Sequence, residues 1–188
     1  MMQNKKVVGI TGGSGTGKSY ISDELRKKGF AVIDADKIAH ESINSKNCIK
    51  ELTKAFGEDI ITDGKIDRKA LGSIVFSSPE KLEMLNRISH KYILEDIAKA
   101  VENAEGDTVF VDGAVLIESG MKCDMIIGVI ADKKKRKQRI MSRDKISENA
   151  AEMRISAQQD DEFYRQNCDF VVTNNGGAFD LSAILSRI

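Results

Sequence analysis

The chain has 188 residues, enough for one domain with a substantial core and room for a small insertion. Lys and Arg total 29 and Asp and Glu total 29, so the formal net charge is zero, without the basic excess of a general nucleic-acid binder. Three scattered cysteines and two histidines lack metal-ligand spacing, and neither a membrane-length apolar run nor an N-terminal signal core occurs, so a cytoplasmic protein with buried, reduced thiols and no membrane span is expected.

Lys5 to Thr11 reads as a short buried strand. It leads into Gly12-Gly13-Ser14-Gly15-Thr16-Gly17-Lys18-Ser19, the full G-x-x-x-x-G-K-S phosphate-binding pattern. Glycines let the backbone curl so that successive N–H groups face phosphate oxygens, and the helix that follows adds its positive dipole end. The nucleotide-binding candidates are therefore Gly13, Ser14, Gly15, Thr16, Gly17, Lys18, Ser19 and the adjoining Tyr20. Lys18 places an ammonium on the β- and γ-phosphates, and the Ser19 hydroxyl is a candidate Mg²⁺ ligand. The dinucleotide-binding pattern G-x-G-x-x-G fails on spacing and leaves the lysine without a role.

Ser19 to Lys28 is helical, with Ile21 and Leu25 four apart. Phe30 to Ile33 is a second strand, ending in Asp34-Ala35-Asp36. A carboxylate there can accept a proton from an attacking hydroxyl, help hold Mg²⁺, or cap the next helix. The pair is expected to point to opposite sides, so that only one reaches the γ-phosphate region, with Asp36 the preferred candidate. Helices are expected over 37–45, 47–56 and 67–76, with a turn at Asp63-Gly64, and a long helix opens at Ser78-Pro79 and runs to about Ala104. Strands follow at 108–111, 125–130 and 170–172, and exposed helices between Asp132 and Asp161. A terminal helix is expected from Leu181 to Ile188.

This order predicts an α/β fold: five parallel strands with helices on both faces, of the P-loop nucleoside triphosphate hydrolase type. One domain, 1–188, carries an inserted helical acceptor-binding subdomain at about 37–104 and a helical lid at about 133–161. Asp112 ends the third strand of that sheet and is a second candidate for Mg²⁺. Glu118 either lines the acceptor site or caps a helix. Arg136, Arg139 and Arg143 share one helix face and Arg154 lies on the next helix; such arginines can close over ATP or form a solvated basic face. Within Asn174-Asn175-Gly176-Gly177, Asn175 is a candidate for the adenine. His90 is read as a helix residue with an acceptor role left open.

The residues resemble one family, the dephospho-CoA kinases. The resemblance lies in Gly9 to Ser19, in Val32-Ile33-Asp34-Ala35-Asp36-Lys37-Ile38-Ala39, in Ala55-Phe56-Gly57, in Gly64 to Gly72, and in Ile74 to Glu80. Arg143-Asp144 and Arg154-Ile155-x-x-Gln158 resemble the family's lid. It departs at Ala114, where the family has proline, at Lys91 after His90, at Tyr20, and in a short tail. The resemblance implies transfer of the ATP γ-phosphate to the ribose 3′-hydroxyl of dephospho-CoA with Mg²⁺, Asp36 as base and Arg143 as a lid arginine near the phosphates. The partners it implies are ATP and dephospho-CoA, with neither nucleic acid nor membrane. A nucleoside or nucleotide kinase would share loop, insertion and lid. A switch GTPase would need N-K-x-D and D-x-x-G, and neither is present.

Overall fold

The computed structural model describes residues 5–176 and 181–188. Its strands are β1 (Lys6–Thr11), β2 (Ala31–Asp34), β3 (Ile61–Thr62), β4 (Lys65–Ile66), β5 (Thr108–Asp112), β6 (Met125–Ile130) and β7 (Phe170–Thr173). Its helices are α1 (Lys18–Lys27), α2 (Ala35–Ser42), α3 (Lys46–Phe56), α4 (Arg68–Val75), α5 (Pro79–Asn103), α6 (Lys133–Asp144), α7 (Glu148–Ser156), α8 (Asp161–Asn167) and α9 (Ser182–Leu185). Two compact units result: one holds the chain up to Asp34 and from Asn103 onward, the other Ala35–Glu102.

In the first unit, five strands form a parallel sheet in the order β2-β5-β1-β6-β7. Alternation along β1 sends Val8 and Ile10 to one face, where they join Phe110, Ile127, Val129 and Val172 under Ile21 and Leu25 of α1 and Ile184 of α9. The opposite face is close-packed in a different way. A Cβ added at Gly9 would come 3.0 Å from Cys123 Sγ, and one at Gly128 would come 2.9 Å from Cys168 Sγ, beside Tyr164 of α8. The sheet is thus covered on both faces, as its near-continuous apolar strands require. All three cysteines are free thiols; Cys48 is buried, whereas Cys123 and Cys168 are only half-buried, and burial pushes each up to about 11. Because the strands are parallel, Thr11, Asp34, Asp112, Ile130 and Thr173 all end at one edge. No helix among the described residues is long and apolar enough to cross a membrane.

The second unit has its own core of Cys48, Leu52, Ile60, Ile66, Leu71 and Val75, against which Leu82, Leu85 and Ile88 of α5 pack. The turn at Asp63-Gly64 connects the antiparallel pair β3 and β4, with Ile61 opposite Ile66. Both turn residues have positive φ, 51° and 73°, matching the right-handed twist of a tight hairpin. The sequence shows the turn but not these two-residue strands, which are too short for a periodic signal. The terminal helix is also shorter than expected, since only Ser182–Leu185 is helical.

Asp67 caps α4, its carboxylate accepting from the N–H groups of Lys69 (2.9 Å) and Ala70 (3.0 Å). The Ala70 N–H, then that of Lys69, favours the charged form and holds the carboxyl below its ordinary 3.8. A depressed pKa contributes stability that is complete above the unfolded value and lost as pH falls through the folded one. Asp67→Asn, which still caps but lacks the charge, should therefore melt slightly lower near neutrality and converge on the wild type as pH falls below about 4. Thermal melts from pH 7 to pH 2 check this.

Candidate active site

The loop between β1 and α1 owes its shape to glycines at Gly15 and Gly17, whose φ values of 79° and 91° other residues rarely adopt. Gly17 is also the N-cap of α1 and has no side chain to cap with, so the first-turn N–H groups of α1 suit an anion. Thr16 braces the loop from inside: its N–H and Oγ1 both donate to the Gly13 carbonyl, at 3.3 and 2.9 Å.

Two arginines of α6 hold the loop from outside. Arg136, almost fully buried, donates from Nε to the Ser14 carbonyl at 3.0 Å. Arg139 donates from Nη1 to the carbonyls of Gly15 (3.1 Å), Thr16 (3.1 Å) and Asn174 (3.0 Å). Arg136 and Arg139 thus share one helix face, and that face meets backbone carbonyls of the loop and of Asn174. Carbonyls that point outward from a loop whose N–H groups point inward are the natural acceptors for a cation packed behind it. Gln158, which follows α7, accepts from the Ser14 N–H at 2.8 Å and donates to the Ser14 hydroxyl at 3.1 Å.

Lys18, the first residue of α1, forms an ion pair with Asp112 Oδ1 at the end of β5. The other oxygen, Oδ2, accepts from Ser22 Oγ at 2.6 Å, one turn further along α1. Asp112 and Ser22 are both buried. Ser22→Ala should leave a buried carboxylate oxygen without this partner, at about 1–3 kcal/mol. In a chain of this size a drop in melting temperature of roughly 2–12 °C follows, measurable by circular dichroism.

The remaining candidates are spread along the same edge or beyond it. Ser19 and Tyr20 lie exposed in the first turn of α1. Asp34 is the last residue of β2, in register with Asp112, whereas Asp36 lies in the first turn of α2 and belongs to the second unit. Strand alternation therefore does not govern that pair: the chain turns helical at Ala35. Asn175 Oδ1 accepts from the Asp132 N–H at 2.8 Å, tying the loop after β7 to the start of α6. Gly177 of the same run lies outside the described residues. Glu118 is exposed in a series of turns and caps no helix; His90 is half-buried on α5.

Arg143 lies in the last turn of α6 and grips Asp144, the helix's last residue, with both arms of its fork, Nε to Oδ1 at 2.7 Å and Nη2 to Oδ2 at 3.0 Å. Arg154 of α7 also donates to Asp144 Oδ2. The Arg143 hydrogen bonds, with Arg154 adding to them, hold the Asp144 carboxyl at about 2.

This arrangement can be set beside known proteins. A family model described as dephospho-CoA kinase matches residues 6–180. A dephospho-CoA kinase of Fusobacterium nucleatum is 39% identical over 184 residues, covering 96% of this chain and 95% of that protein. This chain belongs to the dephospho-CoA kinase family. Two solved structures agree in fold. TT1252 from Thermus thermophilus has a TM-score of 0.85 at 30% identity, with 98% of each chain covered. A dephospho-CoA kinase from Campylobacter jejuni has a TM-score of 0.63 at 29% identity, covering 92% of this chain and 90% of that one.

Within this dephospho-CoA kinase family member, Ser22, Gln158 and the Asn174 carbonyl are site features that sequence reasoning did not assign. Ser22 carries a faint signal, lying between Ile21 and Leu25 four residues after Lys18. Gln158 was legible only as part of the lid resemblance in Arg154-Ile155-x-x-Gln158, which does not show that it meets Ser14.

Proposed function

We propose that this chain transfers the γ-phosphate of ATP to the ribose 3′-hydroxyl of dephospho-CoA, giving coenzyme A and ADP. The observation that carries the reading is the glycine-rich loop with Lys18 set against Asp112, in a chain matched across residues 6–180 by the dephospho-CoA kinase model. Of the loop Gly13–Ser19, the backbone N–H groups not already engaged by Gln158 (Ser14) and the Gly13 carbonyl (Thr16) would receive the phosphates, with Tyr20 adjoining them and Asn175 toward the adenine. Lys18 would leave Asp112 for the β- and γ-phosphates, where an ammonium neutralises charge as the phosphoryl group moves.

The ribose oxygen attacks phosphorus, and Asp36, two residues beyond β2, accepts its proton as the bond to ADP breaks. Arg143 would exchange Asp144 for the transferring phosphoryl group. The Ser19 hydroxyl and the Asp112 carboxylate are hard oxygen donors that suit Mg²⁺. Held there with ATP, Mg²⁺ would supply positive charge that offsets that of the phosphates. The unit Ala35–Glu102 would bind the acceptor, and the segment 133–161 would act as a lid.

The test is transfer from γ-labelled ATP to dephospho-CoA, adenosine and AMP in parallel. Labelled coenzyme A as the main product is expected. Preferential labelling of adenosine or AMP overturns the acceptor and points to a nucleoside or nucleotide kinase.

A further inference from the structure

Ser14 is held by a closed ring of hydrogen bonds. Its carbonyl accepts from Arg136 Nε (3.0 Å), its N–H donates to Gln158 Oε1 (2.8 Å), and its hydroxyl accepts from Gln158 Nε2 (3.1 Å). Arg136 Nη2 closes the ring by donating to the same Gln158 Oε1 at 3.0 Å. Arg136 is 4% exposed, and a buried cation is tolerable only where its donors are engaged in good geometry. The ring also explains Gly13. A Cβ there would lie 2.4 Å from Arg136 Nη2 and 3.0 Å from Gln158 Oε1, so any side chain would push both partners off Ser14.

We infer that Arg136 and Gln158 are positioning residues for nucleotide binding: they lock the leading half of the phosphate loop, so that its remaining N–H groups meet the phosphates already aligned. The inference rests on the reading of the loop as the ATP site. A glycine-rich loop loses much conformational freedom when it closes on a ligand, and holding it in place beforehand lowers that cost. Arg139 holds the carbonyls of Gly15 and Thr16, and Thr16 braces the Gly13 carbonyl, but neither reaches Ser14, which this ring holds. Ile140 of α6 packs with Ala151 and Ile155 of α7, which keeps the two ring members in step.

The experiment measures ADP affinity by titration calorimetry on the full chain, together with the KM values for ATP and dephospho-CoA. The variants are Gln158→Met, Arg136→Lys and the double substitution, each checked by thermal melting. Methionine keeps the volume of Gln158 without its hydrogen bonds; lysine keeps the charge of Arg136 without its fork. Each single variant should weaken ADP binding about tenfold and raise the KM for ATP alike, leaving that for dephospho-CoA unchanged. The double variant should fall little further, since either change opens the ring. If Arg136→Lys does not fold, Gln158→Met decides alone. Wild-type ADP affinity in Gln158→Met overturns the inference and leaves the ATP site intact. Failure of the unmodified chain to bind ADP at all overturns the ATP-site reading, and this inference with it.

Discussion

Replacing Lys18 with alanine is expected to reduce turnover at least 10²–10³-fold, the typical cost of removing one preorganised charge donor to a reacting centre. The structure adds a second effect. The Lys18 and Asp112 side chains are 14% and 9% exposed, so their pair is largely shielded from water. Lys18→Ala leaves the Asp112 carboxylate with Ser22 as its remaining hydrogen-bond partner in this pair of contacts. Leaving a buried acceptor partly unsatisfied costs about 1–3 kcal/mol, a few degrees of melting temperature in a chain of this length. The expected result is therefore a folded protein that melts slightly lower and is nearly inactive. Near-normal turnover would remove the loop from the catalytic machinery.

Asp36→Asn is expected to lower turnover by roughly 10²–10⁴ while the melting temperature stays unchanged. A ribose hydroxyl is a weak nucleophile unless its proton is accepted as the bond to phosphorus forms, and an amide cannot accept it. Asp36 lies in the first turn of α2, where a carboxylate also interacts well with the helix dipole. A purely local helix role would make the asparagine variant lose a little stability and no turnover. A metal-ligand role would make extra Mg²⁺ restore part of the rate. Measuring rate, melting and Mg²⁺ dependence on one preparation separates the three, and wild-type turnover sinks the proton-acceptor role.

Much of the sheet was legible because apolar runs such as Met125 to Ile130 sit between clear breaks and are buried on both faces. The loop was legible because its chemistry demands glycines at fixed spacing. What the sequence did not disclose is which partner each polar group takes. Spacing puts Arg136, Arg139 and Arg143 on one face of α6, but not which atoms that face meets. Arg136 and Arg139 meet loop carbonyls, whereas Arg143, at the helix end, meets Asp144. The β3–β4 pair was hidden for another reason: two residues per strand carry no period, and the hairpin rests on its turn and on the Ile66 N–H bond to Asn44.

The position of β1 in the middle of its sheet has a consequence for how the protein is made. Its strand partners, β5 and β6, begin at Thr108 and Met125. Roughly a hundred residues must be added after Thr11 before β1 can pair on either side. At translation speeds of about 5–20 residues per second, Val7, Val8 and Ile10 wait on the order of 5–20 s on the nascent chain without their ladder. The contiguous stretch Ala35–Glu102 emerges whole during that interval. The strand that leads into the nucleotide loop is thus the first made and the one that waits longest for its first partner, which makes it a segment that depends on protection during synthesis.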